Sequence, residues 1–452
     1  MAMSGILIEN NRPLDYDIEQ LVEKLKRSNS SSRNLMMKKI ILLSVLISTF
    51  SCIEKPEIVP EEIVSFNQLV VPDGFNYAIS SSFDLKWDIT NFPINGVLLG
   101  EVFVEGQLFS KVIITKAETT LSLDIPIHYN EEQMNVHSDD ETITKIFTKN
   151  ESMVFKATLN SGFSARSVVF GSMKNEDTDG DGVKDDFDWA PEDPRISQGI
   201  FIPAFESFNT IGYEDTWPGN GDYDFNDLVI SFNLNKYMNK SSVLSKVVTH
   251  FKILAVGAGY DNDFCYTLEV PKDKVNITIS DPDIQYEVIG YDGITEVRFA
   301  RIKSAFGTTG FVNTRESDPI HDHLNFSITT EIDSSEKING NSLAYDFFIR
   351  IDGEEGREVH MAGKRPTGKV KRTYFGSADD DTNPSNGKLC LNKNNLPWAL
   401  MIPEVWDYPM EKENILDAYP DFADFAQNNP NFPWFSDFHG GRVVRSKLYK
   451  KK

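Results

Sequence analysis

Phe83-Asp84-Leu85-Lys86-Trp87-Asp88-Ile89-Thr90 decides the fold. Apolar and polar side chains alternate along it, which puts one set on each face of an extended chain and marks a half-buried β-strand. Leu121, Leu123, Ile125 and Ile127 repeat the pattern. Further candidate strands stand at 102–104, 112–114, 153–159 and 168–170, with no long helical period between them. Short strands at this spacing predict an immunoglobulin-like β-sandwich over 65–170. Strand patterns resume at 228–234, 247–256, 266–270, 275–279, 284–289, 295–302, 324–332 and 345–351. They predict a second, larger β-rich domain over 200–440. Its final part, 395–440, is irregular and aromatic-rich, with one short helix expected near 417–427, where Tyr419, Phe422 and Ala426 share a face. The expected fold class is all-β. A junction at 171–199 separates the two bodies, and 441–452 is a basic tail.

The junction contains Asp177-Thr178-Asp179-Gly180-Asp181-Gly182-Val183-Lys184-Asp185-Asp186-Phe187-Asp188. Carboxylates fall at loop positions 1, 3, 5, 9 and 12, and Gly182 at position 6 permits the sharp turn of a calcium loop. The expected Ca2+ ligands are Asp177, Asp179, Asp181, the Val183 carbonyl, Asp185 and Asp188. Position 12 is Asp rather than the longer bidentate Glu, so the expected affinity is weak, with Kd on the order of 10⁻⁴–10⁻³ M. The pattern resembles a single thrombospondin type 3 repeat, which implies a calcium-wrapped spacer.

A second acidic cluster runs Gly212-Tyr213-Glu214-Asp215-Thr216-Trp217-Pro218-Gly219-Asn220-Gly221-Asp222-Tyr223-Asp224-Phe225-Asn226-Asp227-Leu228-Val229. Later stretches accompany it: Glu358-Val359-His360-Met361, Arg365-Pro366-Thr367, and Leu396-Pro397-Trp398-Ala399-Leu400-Met401-Ile402-Pro403. Together these motifs resemble the LruC-type domain of bacterial outer-membrane and surface lipoproteins, over about 195–440. In an extended segment Asp222, Asp224 and Asn226 would share a face, with Glu214 and Asp215 one loop away. Glu214, Asp215, Asp222, Asp224 and Asp227 are therefore candidates for a second calcium site. Turn capping by the same side chains is the competing reading.

The N-terminal sequence reads as an export signal. Met37-Lys38-Lys39 is basic, 40–50 is a short apolar run, and Ser51 precedes Cys52. This order describes a signal peptide over 37–52, and the Cys after a small residue resembles a lipobox, making Cys52 the expected lipidation site. Residues 1–36 are polar and read as a preface upstream of the true start, and 53–64 as a Pro- and Glu-rich tether. The expected location is the bacterial outer membrane, lipid-anchored and facing outward.

Formal net charge is −23. The first 52 residues carry seven basic and five acidic side chains, which leaves −25 on the remainder. That balance excludes the basic footprint of nucleic-acid binding. With Cys52 lipidated, Cys265 and Cys390 either pair or remain as buried thiols. The aromatics Trp398, Trp406, Tyr408, Tyr419, Phe422, Phe425, Trp434, Phe435 and Phe438 read as the core of a loop-rich lobe more readily than as a sugar-stacking platform. His321-Asp322-His323 is a weak metal motif. The composite expectation is a calcium-stabilised binding or adhesion module for a glycan or an extracellular host protein, and not an enzyme. The alternatives are a glycan hydrolase using Asp222 or Asp224, and a structural envelope component.

Overall fold

The alternation at 83–90 is realised in β1 (Ser80–Thr90), where Leu85, Trp87 and Ile89 are buried while Asp84, Lys86 and Thr90 face water. The computed structural model describes residues 66–92, 96–129, 131–138, 142–148, 154–159, 176–428, 433–436 and 442–450. The expected preface 1–36, signal peptide 37–52 with Cys52, tether 53–64 and strand at 168–170 lie outside the described residues, as does Phe438.

Among the described residues, six more strands follow β1 before the acidic loop: β2 (Leu98–Val104), β3 (Gln107–Ile114), β4 (Glu118–Pro126), β5 (Glu131–His137), β6 (Thr142–Thr148) and β7 (Val154–Thr158). They divide into the sheets β4-β1-β7 and β3-β2-β5-β6. β1 runs antiparallel to β4, with Leu85 opposite Leu121, and parallel to β7. Leu85, Trp87, Leu121 and Leu123 share one core with Val102, Val104, Val112 and Met134. This is a β-sandwich, as the alternation predicts.

Twelve strands come after the loop: β8 (Gln198–Ile202), β9 (Asn209–Tyr213), β10 (Leu228–Met238), β11 (Leu244–Ala255), β12 (Asp263–Leu268), β13 (Val275–Ile279), β14 (Glu287–Tyr291), β15 (Ile294–Phe299), β16 (Leu324–Ile332), β17 (Tyr345–Arg350), β18 (Glu358–His360) and β19 (Ala399–Ile402). β10 pairs with β9 along its first half and with β8 along its second. β8 also pairs with β3, through Ser110 and Lys111. One sheet therefore runs β13-β16-β11-β10-β8-β3-β2-β5-β6, with β9 and β19 branching from β10. The described strands on either side of the expected junction at 171–199 are β7 of the first sheet and β8 of this one, and the described residues from 66 onward belong to one compact unit.

The opposing sheet of the second half is β14-β15-β12-β17-β18. Phenylalanines fill the space between. The Phe251 ring lies 5.3 Å from Phe264, 5.5 Å from Phe326 and 5.6 Å from Phe347. Such ring pairs add about 0.5–1.5 kcal/mol each beyond area burial, which gives the high Phe content a structural use. In the same sheet Arg350 and Glu296 form a fully buried ion pair at 2.7 Å.

The strand expected to reach residue 302 stops at Phe299, and α1 (Ile302–Ala305) follows. The single helix expected near 417–427 is two, α2 (Ile415–Ala418) and α3 (Phe422–Gln427). The break falls at Tyr419, whose φ of −129° and ψ of 74° reflect the steric exclusion of helical geometry before Pro420. The lobe aromatics Trp398, Trp406, Tyr408, Tyr419, Phe422, Phe425, Trp434 and Phe435 are all buried. Phe66, Leu69, Val71 and Tyr77 join most of them in one cluster. This N-terminal strap is also hydrogen-bonded to the lobe. The Val71 amide donates to the Asn394 carbonyl at 3.0 Å, and Asn395 Nδ2 to the Val71 carbonyl at 2.8 Å. Cys265 and Cys390 are buried free thiols.

Candidate functional site

The first acidic loop is anchored by two apolar side chains. Val183 and Phe187 are buried against Leu99 of β2 and Ile113 of β3. Lys111 of β3 donates to the Asp188 carbonyl at 3.2 Å, and Lys240, in the turn between β10 and β11, donates to the Asp181 carbonyl. The loop is thus held from both halves of the molecule. Gly180 and Gly182 have φ of +76° and +89°, a region that glycine enters without a Cβ penalty.

Within this frame the carboxylates of Asp177, Asp179 and Asp181 converge, each offering an oxygen within 4.8 Å of the others. Asp177 accepts the Gly180 and Gly182 amides at 2.8 and 3.0 Å, and Asp179 accepts the Asp181 amide at 3.0 Å. Asp181 accepts the Val183 amide at 2.7 Å, and Asp188 the Ala190 amide at 2.7 Å. One oxygen of each of Asp179, Asp181 and Asp188 remains buried with no donor. Burial, reinforced by Asp181 and Asp179, pushes the Asp188 carboxyl up to about 7. Asp179 is raised by burial and by its acidic neighbours. Asp185 differs from the expectation. Its two oxygens accept the Thr178 amide and hydroxyl, both at 2.8 Å, so it closes the loop on itself and stands outside the converging group.

The second cluster is more deeply buried. Glu214, Asp222 and Asp224 bring one oxygen each within 4.8 Å of the others. Glu214 and Asp224 are buried, and Asp222 is exposed. The segment is not extended. Tyr223 and Phe225 have φ of +58° and +52°, and both rings are buried in the aromatic lobe. Glu214 Oε1 accepts the Phe225 amide at 2.7 Å, while Oε2 is buried with no donor. A Cβ at Gly221 would lie 1.7 Å from that oxygen, so glycine is what lets the loop approach it. Asp224 accepts the Asn226 amide at 3.1 Å and the Lys412 amide at 2.8 Å. Burial and Asp222 push its carboxyl up to about 8. Glu214 is raised well above its ordinary range, by burial and then by Asp224 and Asp222.

Asp215 and Asp227 separate from this trio. The Asp215 amide donates to Asp227 Oδ2 at 2.8 Å, and Asn262 Nδ2 donates to Asp215 Oδ2 at 2.8 Å. Both carboxyls are raised, chiefly by burial. They form an adjoining acidic pair that ties β9, the start of β10 and the start of β12 together. Asn226, expected on the Asp222 face, donates to the Pro409 carbonyl at 3.1 Å. His321 and His323 enter no group of metal ligands among the described residues. Asn262, Lys240 and Thr178 were not legible as site residues, since each acts through a contact made only by the fold.

Residues 243–432 match a family model described as a domain of unknown function, DUF4842. No curated protein matches the chain. Among solved structures, a presumed lipoprotein from Bacteroides ovatus is similar at 15% identity and a TM-score of 0.49, covering 78% of this chain and 99% of that one. BcpA, the major pilin subunit of Bacillus cereus, is similar at 7% identity and a TM-score of 0.16, covering 60% of this chain and 65% of that one. Neither likeness is close enough to carry a functional inference.

Proposed function

We propose that this chain is a calcium-stabilised, lipid-anchored protein of the bacterial outer membrane, displayed at the cell surface as a binding or adhesion module. One observation carries the calcium reading. Both acidic loops hold buried carboxylate oxygens without a donor beside two further acids. Such groups are costly to bury unless a cation completes them, and hard carboxylate oxygens in this number suit Ca2+. Asp177, Asp179, Asp181 and Asp188 would hold the first ion, and Glu214, Asp222 and Asp224 the second. The lipid anchor rests on Cys52 and the signal-like run before it. The LruC-type resemblance, which overlaps the family match over 243–432, supports the envelope setting.

Binding is favoured over hydrolysis because Asp224 is buried and both its oxygens already accept backbone amides. A general acid or base needs reach to a substrate proton. The test is calorimetric titration of Ca2+ into the chelator-treated full chain. Two sites are expected, the first lost in Asp179→Asn/Asp181→Asn and the second in Glu214→Gln. Chelation should also expose 177–188 to protease. Absence of any calcium heat, with unchanged cleavage, would overturn the reading.

A further inference from the structure

Besides the basic tail at 441–452, this acidic chain carries a second strongly basic segment. Lys364, Arg365, Lys369, Lys371 and Arg372 fall within nine residues that contain no acid. The segment closes one side of a cleft of about 470 Å³ whose other walls come from β17, the end of β12 and the β14–β15 turn. That volume lies within the ~300–1,000 Å³ range of ligand pockets.

The basic segment is rigidly mounted. Glu358 of β18 accepts the Thr367 amide at 3.1 Å and its hydroxyl at 2.7 Å. The Lys371 amide donates to the Gly356 carbonyl at 2.9 Å. Lys371 is engaged by Glu354 at 2.6 Å, and Lys369 sits over the Tyr291 ring at 4.8 Å. The guanidinium groups of Arg365 and Arg372 are different. Both line the cleft, both are exposed, and neither has an ion pair or hydrogen bond among the described residues. The cleft is also lined by the aromatic residues Tyr291, Tyr345 and Phe375 and by the acids Glu269, Asp292 and Asp346.

We propose that this cleft binds a short anionic saccharide, an assignment that rests on the binding reading above and names its ligand class. Each part of such a ligand finds a matching group. Planar guanidinium forks suit a sulfate or carboxylate. Aromatic walls suit the C–H faces of sugar rings, and the lining carboxylates accept sugar hydroxyls. A bare inorganic anion would leave the aromatic walls unused, and a flat lipid surface could not enter between them.

The experiment is calorimetric titration of the full chain with a sulfated, uronate-containing disaccharide, with trigalacturonate, and with neutral maltotriose. Each titration is run in calcium and after chelation. Binding of one or both acidic sugars is expected, with none for maltotriose. The first two probes separate sulfate from carboxylate recognition. Arg365→Ala/Arg372→Ala should weaken binding at least tenfold at an unchanged melting temperature, and the sugar should be recovered uncleaved. Three results would overturn the proposal: no binding of either acidic sugar at 10 mM, equal binding by the double variant, or inorganic sulfate competing as well as the sugar. Arginine-dependent sedimentation with phosphatidylglycerol vesicles, without sugar binding, would reassign the cleft to lipid. A failure of the calcium reading registers separately, as the absence of a calcium effect on melting temperature.

Discussion

Replacing Glu214 by Gln should change the sign of its effect with calcium. In the metal-free protein, burial and the neighbouring Asp224 and Asp222 hold the Glu214 carboxyl well above its ordinary range. Gln reproduces that neutral side chain and keeps an oxygen for the Phe225 amide, which Glu214 now accepts at 2.7 Å. A full carboxylate pair within 4.8 Å repels by at least about 3.5 kcal/mol at an effective dielectric of about 20. Glu214 avoids most of this by retaining its proton, so removing the acid should stabilise the metal-free state by only about 1 kcal/mol. With calcium the balance reverses. At 10 mM Ca2+ and a Kd of about 10⁻⁴–10⁻³ M, one site contributes roughly 1.4–2.7 kcal/mol. In a unit of this size each kcal/mol corresponds to about 1–3 °C in Tm. Thermal unfolding by circular dichroism should show Glu214→Gln melting slightly above wild type in chelator and about 0.5–5 °C below it in calcium. An equal loss in both conditions would make Glu214 a structural acceptor and refute the reasoning.

The same chemistry makes calcium stabilisation depend on pH. Metal-free Asp188 and Asp224 keep their protons up to about 7 and 8, whereas in the unfolded chain they ionise near 3.9. The folded state binds more protons across this window, so metal-free stability falls as pH rises from 5 to 8, and the melting-temperature gain from calcium should widen. His360 works in the same direction through another linkage. Although burial lowers it, Asp346 at 2.7 Å and Glu358 at 3.1 Å win and raise it to about 9. Its contribution is complete below about 6.5 and lost through 9, up to about 3 kcal/mol; denaturant titrations between pH 6 and 10 should show this loss in wild type and not in His360→Gln. Arg350→Met strands a buried Glu296 and should cost about 3–5 kcal/mol by chemical denaturation, and adding Glu296→Gln should restore part of it.

Much of the β architecture was legible because one-faced burial writes alternation into the sequence. β1 and β4 follow their apolar positions residue by residue. β5, β8 and β9 were not legible. Glu131-Glu132-Gln133-Met134 has no alternating face, and β8 and β9 are largely buried on both sides, so their residues carry no period. The paired β3 and β8 edges depend on an 89-residue separation that local pattern cannot encode, as in the bond from the Ser110 hydroxyl to the Gly199 carbonyl. At the acidic loops, residue type identified the carboxylates but not their division of labour. Two left-handed residues, Tyr223 and Phe225, determine which acids meet, and that backbone choice is forced by burying both rings. Asp185 was diverted for an equally local reason, since Thr178 offers it two donors.

The strap at 66–79 gives the molecule a definite route for mechanical load. A pull applied on its N-terminal side meets the contacts of Val71 and Tyr77 with 394–395 before it reaches β1. Tension therefore enters the aromatic lobe, more than 300 residues away in sequence, before it loads β1, the central strand of its sheet. Contacts between residues more than 300 apart along the chain are thus the first to bear force.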